Sequence, residues 1–427
     1  MNSTESSNCL NCGAPPEVPT RPEASRLSLS EAESPPPMTL LPYSRQSIDE
    51  QDIQAVVDVL RSDWLTTGPV LQRFEQALAE HAGVANAVAV SNGTAALHAA
   101  MFALQIQPGD EVILPAITFV ATANCVVYQG GCPVFADVNP GSLLLDADSV
   151  EARLTSRTKA IIAVDYAGQP CDYAALTSVA QRHGLALVAD ASHALGASLH
   201  GRPVGQLADL TTFSFHPVKP ITTGEGGAIT TRDPRLAARC RKFRNHGIVR
   251  DHHQRAQAGS WRYEMTDLGY NYRLTDLQAA LGLSQLRRLE AWRQRRTAIA
   301  RRYDRALSSF SAARPLSVCP HVGHAYHLYV IRLGSELERD AVFSRLRRAG
   351  IGVNVHYAPV HLHPFYRDRF GTGPGLCPVA EAAAKHILSL PLFPAMTDGD
   401  VDRVIEALRA AIHQSAPDRT AAARRVA

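Results

Sequence analysis

The chain has 427 residues, 45% hydrophobic and 19% charged, which is typical of a globular enzyme with room for more than one domain. Its net charge of +3 comes from interspersed charges of both signs without a basic stripe, so we expect no nucleic-acid partner. No apolar run reaches transmembrane length, and eight scattered cysteines favour the reduced thiols of a cytoplasmic protein without membrane contact.

Residues 1–37 are rich in Ser, Glu and Pro and poor in aromatic residues, which predicts a disordered N-terminal extension. Cys9 and Cys12 form a C-x-x-C pair, but a zinc site needs a second pair and none lies nearby. We therefore expect no metal site. Met38 directly precedes the first patterned segment, so we expect the folded protein to begin there, and Met38 is a candidate translation start.

Helices and strands are predicted to alternate over the first two thirds of the chain. Ser47 and Glu50 predict a capping box that opens a first helix, and a second helix follows over 71–81. Short apolar segments then predict strands at 87–90, 111–114, 133–137, 159–164, 185–190, 210–215 and 228–231. Strands that alternate with helices form a mostly parallel sheet covered on both faces, so the predicted fold class is α/β.

The pattern changes towards the C-terminus. An Arg-rich helix over 289–307 is predicted to bridge two lobes. The residues that follow predict an α+β lobe, with strands at 326–333 and 353–356 and helices at 339–349 and 401–412. The predicted divisions are an extension at 1–37, a large domain at 38–285, a bridging helix and small domain at 286–415, and a disordered tail at 416–427.

Polar or glycine-rich segments follow five of the predicted strands. In a parallel sheet, ligands bind at the carboxyl ends of the strands, so these segments are candidate site residues. They are 92–94, 118–119, 166–169, 190–193 and 214–219. Gly93 and Thr94 open a helix whose first N–H groups suit a phosphate, and the Ser214 hydroxyl could join them.

Lys219 lies between Pro217 and Pro220 and precedes a glycine-rich turn. The prolines fix φ on either side, so the amine is held in one place. A lysine that forms a Schiff base with a carbonyl needs such positioning. A plain hairpin with an exposed lysine has the same pattern, so this stretch alone leaves both interpretations open.

The neighbouring strand ends offer the remaining groups of a cofactor site. Asp190 is a carboxylate that needs a cationic partner, and Phe119 offers a flat apolar face. With a phosphate site and an amine, these groups match pyridoxal 5′-phosphate: Asp190 would keep the ring nitrogen protonated, and Lys219 would bind the aldehyde and move the proton. His193 would lie near the ring hydroxyl, or would simply pack on the next strand.

Seven segments match one protein family in order and spacing. They are GTAALH at 93–98, PAITFVAT at 115–122, AGQP at 167–170, DASH at 190–193, FSFHPVK at 213–219, TTGEGG at 222–227 and GYNYRLTD at 269–276. From about residue 42 to 408, the chain resembles the DegT/DnrJ/EryC1/StrS sugar aminotransferases. The resemblance implies the fold type I architecture of pyridoxal-phosphate enzymes.

The resemblance also implies roles for individual residues. Lys219 would be the Schiff-base lysine, Asp190 the acid at the ring nitrogen, and His193 the neighbour of the ring hydroxyl. The other implied cofactor contacts are Phe119, Gly93, Thr94, Ser214 and Asn271. Asn271 would reach the phosphate from a second subunit, which implies a homodimer with shared active sites. Asn92 and Pro220 depart from common family residues, but neither removes a catalytic group.

Three further segments are most similar to family members of pseudaminic acid biosynthesis. They are LPYSRQSI at 41–48, LTTGP at 65–69 and NVHYAPVH at 354–361. These members aminate C4 of UDP-2-acetamido-2,6-dideoxy-β-L-arabino-hexos-4-ulose with L-glutamate as donor. The implied substrate contacts are Thr66, Thr67, His356, Tyr357 and His361. Packing within the loop and the small lobe explains the same residues equally well.

Two alternatives remain at this point. One is the same chemistry on another 3-keto or 4-keto nucleotide sugar. The other is a non-catalytic regulatory homologue, because a fold does not by itself fix a function. A regulatory homologue is expected to lack the lysine or the acid, or to carry a DNA-binding module, whereas Lys219 and Asp190 are both present and residues 1–37 are too short and polar for such a module.

Overall fold

The structure, a computed structural model, describes residues 40–249 and 259–415. The predictions for residues 1–37, including Cys9 and Cys12, for Met38, and for 416–427 lie outside these described residues. Within them, no helix has the length and apolar character needed to cross a membrane.

A seven-stranded sheet forms the centre of the fold, in the order β1-β9-β8-β5-β4-β2-β3. β9 pairs antiparallel with both of its neighbours, whereas the other pairings are parallel, so the predicted mostly parallel sheet is confirmed. The first nine strands are β1, Asn86–Val90; β2, Glu111–Pro115; β3, Cys132–Ala136; β4, Thr158–Val164; β5, Ala186–Asp190; β6, Ser198–Leu199; β7, Arg202–Pro203; β8, Leu210–Ser214; and β9, Gly227–Thr231.

Thirteen α-helices occur in the described residues. They are α1, Glu50–Leu60; α2, Pro69–Ala82; α3, Gly93–Ala103; α4, Ala121–Tyr128; α5, Ala147–Glu151; α6, Tyr173–His183; α7, Pro234–Phe243; α8, Asp276–Leu286; α9, Leu289–Leu307; α10, Arg339–Arg348; α11, Pro364–Phe370; α12, Pro378–Ala384; and α13, Asp398–His413. Thr275 caps α8 through a capping box with Gln278.

Alternation along β1 shows how helices cover both faces of the sheet. Val88 and Val90 pack in one hydrophobic cluster with α3 and α7, whereas Ala87 and Ala89 pack in another with α2 and α8. Successive side chains of a strand point to opposite faces, so each face has its own layer of helices. The predicted α/β fold is therefore confirmed.

The C-terminal part has a separate three-stranded sheet and its own core. Its strands are β10, Ala313–Pro315; β12, Tyr329–Leu333; and β13, Ile387–Leu390, in the order β10-β12-β13, while the short β11, Val322–Gly323, pairs with β6. Helix α9 contributes Leu289 to one cluster of the large sheet and Ile299, Tyr303 and Leu307 to the C-terminal core. This helix thus packs against both cores.

The predicted cap of α1 is wrong by two residues. Asp49, not Ser47, caps this helix, since its side chain accepts a hydrogen bond from the Asp52 N–H and the Asp52 side chain accepts one from the Asp49 N–H. Carboxylates suit the positive end of a helix. The Ser47 carbonyl instead accepts a hydrogen bond from Gln285 of α8.

The predicted strand over 353–356 is also absent. This segment makes one isolated bridge, between Asn354 and Ser389, and then turns towards Pro359. Its neighbour β13, which completes the three-stranded sheet, was not predicted. Both errors arise because a short apolar run indicates burial but not which backbone it pairs with.

Candidate active site

A cavity of about 870 Å³ opens at the carboxyl ends of the parallel strands, within the size range of small-molecule sites. Nine residues predicted from the sequence lie on its wall: Gly93, Thr94, Phe119, Asp190, His193, Ser214, Lys219, His356 and Tyr357. The segment 166–169 lies behind the wall, where the Tyr166 hydroxyl donates to the His356 carbonyl. Four of the five strand-end segments therefore converge on one cavity.

Lys219 lies on the turn between β8 and β9. The turn is fixed by two hydrogen bonds, from the Lys219 N–H to the His216 carbonyl at 2.8 Å and from Ser44 Oγ to the Val218 carbonyl at 3.2 Å. Burial lowers the pKa of the Lys219 amine from 10.5 to about 8, although the nearby Asp190 carboxylate acts in the opposite direction. A neutral amine is therefore accessible close to neutral pH.

Asp190 is held by three donors at the end of β5. Thr122 Oγ1 donates to Oδ2 at 2.7 Å, and Ser192 donates to Oδ1 from Oγ at 2.6 Å and from its N–H at 3.2 Å. Thr118 Oγ1 lies 2.7 Å from Thr122 Oγ1 and extends the network. Hydrogen bonds donated to a carboxylate favour its charged form and fix its direction. The carboxylate is only 5% exposed.

Thr118 and Ser192 lie in the candidate segments 118–119 and 190–193, but neither they nor Thr122 were given a role from the sequence. Two weak signals were present: Thr118 and Thr122 are four residues apart beside a helix start, and Ser192 follows two residues after the acid. Such spacings allow hydroxyl contacts but occur widely, because Ser and Thr often bond to nearby groups in turns.

α3 makes a tight contact with the ends of β8 and β9 at the place where the sequence predicts a phosphate site. A Cβ on Gly93 would lie 2.8 Å from Ser214 Cβ, and a Cβ on Gly227 would lie 2.5 Å from the Asn92 carbonyl. Only glycine permits this approach. Asn92 Oδ1 accepts a hydrogen bond from the Ala95 N–H at 2.8 Å, so the α3 N-terminus is well ordered beside the Ser214 hydroxyl.

His193 is buried, and its two ring nitrogens have different partners. Nδ1 accepts a hydrogen bond from the Ala167 N–H at 3.3 Å, so the neutral ring carries its hydrogen on Nε2, 3.1 Å from the Tyr357 hydroxyl. Burial lowers the pKa of His193 well below 6.5, and electrostatic interactions with the nearby Lys219 and His356 lower it further. The buried His327, whose ring centroid lies 4.4 Å away, also lines the cavity and was missed from the sequence.

Phe119 lies on the cavity wall with 56% of its surface exposed. Its ring centroid is 6.1 Å from that of Tyr357, at an interplanar angle of 51°. A large apolar side chain left open on a cavity wall gains stability when an apolar ligand face covers it. Phe119 is therefore placed to cover the face of a flat ring.

His356 and His361 differ in position, although both belong to the predicted sugar-facing segment. His356 lies on the cavity wall, but its Nδ1 is 2.8 Å from Ser389 Oγ and its Nε2 is 3.4 Å from Asn354 Nδ2. Burial and, to a smaller extent, the charge of Lys219 lower the pKa of His356 to about 4. His361 is fully buried, is not on the wall, and its Nε2 lies 2.9 Å from Glu381 Oε1.

Three other predicted residues lie away from the cavity of the same chain. Thr66 and Thr67 are on the loop between α1 and α2, where Thr66 bridges to Thr275. Asn271 is exposed and bridges to Asn245. A single copy of the chain therefore does not bring these side chains to the cavity wall.

The described residues fit pyridoxal 5′-phosphate in three respects. The start of α3 and Ser214 lie together on the cavity wall as a phosphate requires, Phe119 is open to a ring face, and a fixed carboxylate and a readily neutralised amine share the cavity. These groups could anchor the two ends and one face of the cofactor. Within 40–249 and 259–415, no group of three His, Cys, Asp or Glu residues could hold a metal ion.

Comparison with known proteins gives consistent matches. The sequence model of the DegT/DnrJ/EryC1/StrS aminotransferase family matches residues 46–409. The spore coat polysaccharide biosynthesis protein SpsC of Bacillus subtilis is 43% identical over 374 residues, which cover 86% of this chain and 96% of SpsC.

Two solved structures resemble the fold closely. The PLP-form of Spr1654 from Streptococcus pneumoniae gives a TM-score of 0.84 at 34% identity, covering 88% of this chain and 100% of that one. PseC of Helicobacter pylori, an aminotransferase involved in the biosynthesis of pseudoaminic acid, gives 0.83 at 32% identity, with coverage of 88% and 100%.

Proposed function

This chain belongs to the DegT/DnrJ/EryC1/StrS aminotransferase family, and we propose that it moves the amino group of L-glutamate to C4 of a UDP-linked 2-acetamido-2,6-dideoxy-hexos-4-ulose. As a family member it is a pyridoxal-phosphate-dependent sugar aminotransferase. The observation that carries the proposal is the joint presence of Lys219 and Asp190 on one cavity wall. A non-catalytic homologue has no need for a lysine whose pKa is lowered to about 8 beside a fixed carboxylate.

Binding of the cofactor would divide among separate parts of the chain. Gly93, Thr94 and Ser214 would hold the phosphate, because N–H groups at the start of α3 and a hydroxyl meet there. Phe119 would cover a ring face. Asp190 would accept from the ring nitrogen, and the neutral His193 would lie beside the ring hydroxyl.

The cofactor, when bound, supplies a protonated ring that takes up the electron pair left when a proton leaves the donor carbon. Lys219 Nζ would take that proton from the donor carbon of glutamate and, in the second half-reaction, would deliver a proton to C4 of the sugar. With a pKa of about 8, roughly a tenth of the amine is neutral at pH 7. Thr122 and Ser192 keep the Asp190 carboxylate in place throughout.

The sugar would lie against the C-terminal segment of the cavity wall. Since the Nε2–H of His193 points to the Tyr357 oxygen, the hydroxyl hydrogen of Tyr357 is free to meet a sugar oxygen. The likeness to PseC supports a UDP-linked 4-keto sugar of the pseudaminic acid pathway. The higher identity to SpsC, named for spore coat polysaccharide, favours another keto nucleotide sugar as the second candidate.

Charge on the wall supports a homodimer with shared active sites. Of the described residues that line the cavity, Lys219 is the one Lys or Arg, against the acids Asp190 and Glu225. Phosphates and the glutamate carboxylates need more positive charge than this wall supplies. Asn271 is exposed on a loop whose Trp261 is 81% exposed, which supports a contact between this loop and a second copy.

We further propose a cytoplasmic location, because the six cysteines in the described residues are all free, as a reducing compartment keeps them.

The function is tested by supplying the purified protein with L-glutamate and a panel of 3-keto and 4-keto nucleotide sugars. We expect the fastest amination with the UDP-linked 4-keto sugar. A faster reaction with another sugar would favour the second candidate, and no amination of any would contradict the proposed function.

A further inference from the structure

Tyr272 lies on the cavity wall but was given no role by the sequence. Its backbone is fixed because the Ser91 N–H donates to the Tyr272 carbonyl at 2.8 Å. Its hydroxyl oxygen lies 3.1 Å from Nδ1 of His98, a buried histidine of α3. The direction of this hydrogen bond decides where the hydroxyl hydrogen of Tyr272 points.

Gln129 determines which nitrogen of His98 carries the hydrogen. The amide Nε2 of Gln129 lies 2.8 Å from His98 Nε2, and an amide nitrogen only donates. His98 Nε2 is therefore the acceptor. Burial lowers the pKa of His98 to about 4, so the ring is neutral and its one hydrogen is on Nδ1. His98 thus donates to the Tyr272 oxygen.

Since the Tyr272 oxygen receives this hydrogen bond, its own hydrogen points away from His98. Tyr272 shares the cavity wall with Thr94 and Leu97, and His98 follows Thr94 by one turn of α3. We infer that the Tyr272 hydroxyl donates to a phosphoryl oxygen bound at this side of the cavity, with Gln129 and His98 as positioning residues.

The ligand class rests on the proposed function, which brings two phosphoryl compounds to the cavity. One source is the phosphate of the cofactor and the other is the diphosphate of the nucleotide sugar. Both are anions that the N-terminal end of α3 attracts. Because each is added separately, binding measurements distinguish them.

The test compares Tyr272→Phe with wild type in two arms. In the first, apo-protein is titrated with pyridoxal 5′-phosphate and with pyridoxal, which lacks the phosphate. In the second, the KM for the nucleotide sugar is measured. We expect Tyr272→Phe to weaken binding roughly tenfold in one arm, because one hydrogen bond to a charged group is lost. Binding of pyridoxal should be unchanged.

Two control variants distinguish the loss of an oriented hydrogen bond from a general change in packing around Tyr272. Tyr270→Phe removes a hydroxyl from the ring stacked on Tyr272 at 5.0 Å, outside the cavity wall, and should change neither arm. Gln129→Met removes the amide donor and should weaken the same arm by about threefold, with no further loss when it is combined with Tyr272→Phe. An additive loss would contradict the inference that Gln129 and His98 act through the Tyr272 hydroxyl.

Three further outcomes would contradict the inference, and one of them would also contradict the proposed function. If wild type binds the cofactor and aminates a sugar, but Tyr272→Phe changes both arms by less than about twofold, the inference is wrong and the proposed function stands. If Tyr272→Phe weakens pyridoxal as much as its phosphate and leaves the sugar KM unchanged, the effect is packing and the inference is also wrong. A wild type that binds neither compound contradicts both.

Discussion

The two walls of the cavity are built in different ways. On the strand-end wall, neighbouring groups donate to Asp190 and shape the turn of Lys219, so both keep their reactive atoms towards the cavity. On the wall formed by the C-terminal segment, His356 has partners at both ring nitrogens, whereas His361 of the same segment lies off the wall, buried against Glu381. The sheet thus holds the groups that are proposed to carry out the reaction, whereas the polar contacts of the C-terminal segment are mainly with other residues of the protein.

Removing the amine of the strand-end wall should have the largest effect. Lys219→Ala takes away the group proposed to carry the proton, and we expect amination to fall by roughly 10⁴-fold or more. Lys219→Arg should fail similarly, because a guanidinium stays charged. The matched control is Lys159→Ala, at an exposed position of β4, which should keep wild-type turnover. Wild-type rates in Lys219→Ala would contradict the assignment of Lys219 as the group that carries the proton.

Neutralising the acid of the same wall should cost less. Asp190→Asn keeps the size of the side chain but removes the charge, and we expect a loss of roughly 10²–10³-fold. Because Asp190 raises the pKa of Lys219, the amine should also titrate below its present value of about 8. A pH profile of the reaction measures this shift. An unchanged or higher midpoint would show that the two groups do not interact.

The lowered pKa of Lys219 should be visible in the stability of the apo-protein. The folded value of about 8 lies below the ordinary 10.5, so between these values the unfolded chain binds more protons and wild-type stability rises with pH. At pH 7 the protein carries the full cost of the buried charge. Lys219→Met should therefore be more stable at pH 7, by up to about 3 kcal/mol, with the gain shrinking above pH 8.

Denaturant unfolding at several pH values checks this prediction. A stability gain in Lys219→Met that stays constant from pH 7 to above pH 10 would show that desolvation of the amine is not its cause. Lys385→Met, at an exposed position, is the matched control and should show no pH-dependent difference in this range.

Loss of one hydroxyl behind the acid should have a smaller effect. Thr122→Val removes the donor to Asp190 Oδ2, and we expect about a tenfold loss of turnover, because a hydrogen bond to a charged group is lost. Thr297→Val is the control, since that hydroxyl donates within α9 to the Arg293 carbonyl. Equal losses in both variants would mean that a general packing defect, not the Asp190 contact, is responsible.

The smallest effect is expected on the opposite wall. Tyr357→Phe should raise the KM for the keto sugar by about fivefold, as for one hydrogen bond, while the half-reaction with glutamate changes by less than about twofold. Stopped-flow measurement of the glutamate half-reaction separates the two. If that half-reaction slows as much as the sugar reaction, the distinction between the two walls fails.

The same distinction explains what the sequence could predict. Gly93, Asp190 and Lys219 each stand next to a strand end, so local patterns and the rule for parallel sheets placed them together. The fold class followed from the alternation of apolar segments. These features depend on residues close in the chain, where composition and spacing carry the information.

Contacts between distant segments could not be predicted in this way. Thr122 bonds Asp190 across 68 residues, and the His193–Tyr357 pair spans 164. The burial of His361 depends on Glu381 of α12, and nothing in its own segment signals that partner. The missed strand β13 has the same cause, because its apolar residues are buried by β12 and by the C-terminal core.

The most direct test of the central claim is to fix the cofactor to the protein and find the residue that holds it. Besides Lys219, the chain has three lysines, Lys159, Lys242 and Lys385. Wild-type protein loaded with pyridoxal 5′-phosphate should be reduced with borohydride, digested and mapped by mass spectrometry. The cofactor is predicted on the peptide that contains Lys219, and this label should vanish in Lys219→Ala. A label on one of the other three lysines, or no stable label, would contradict the account.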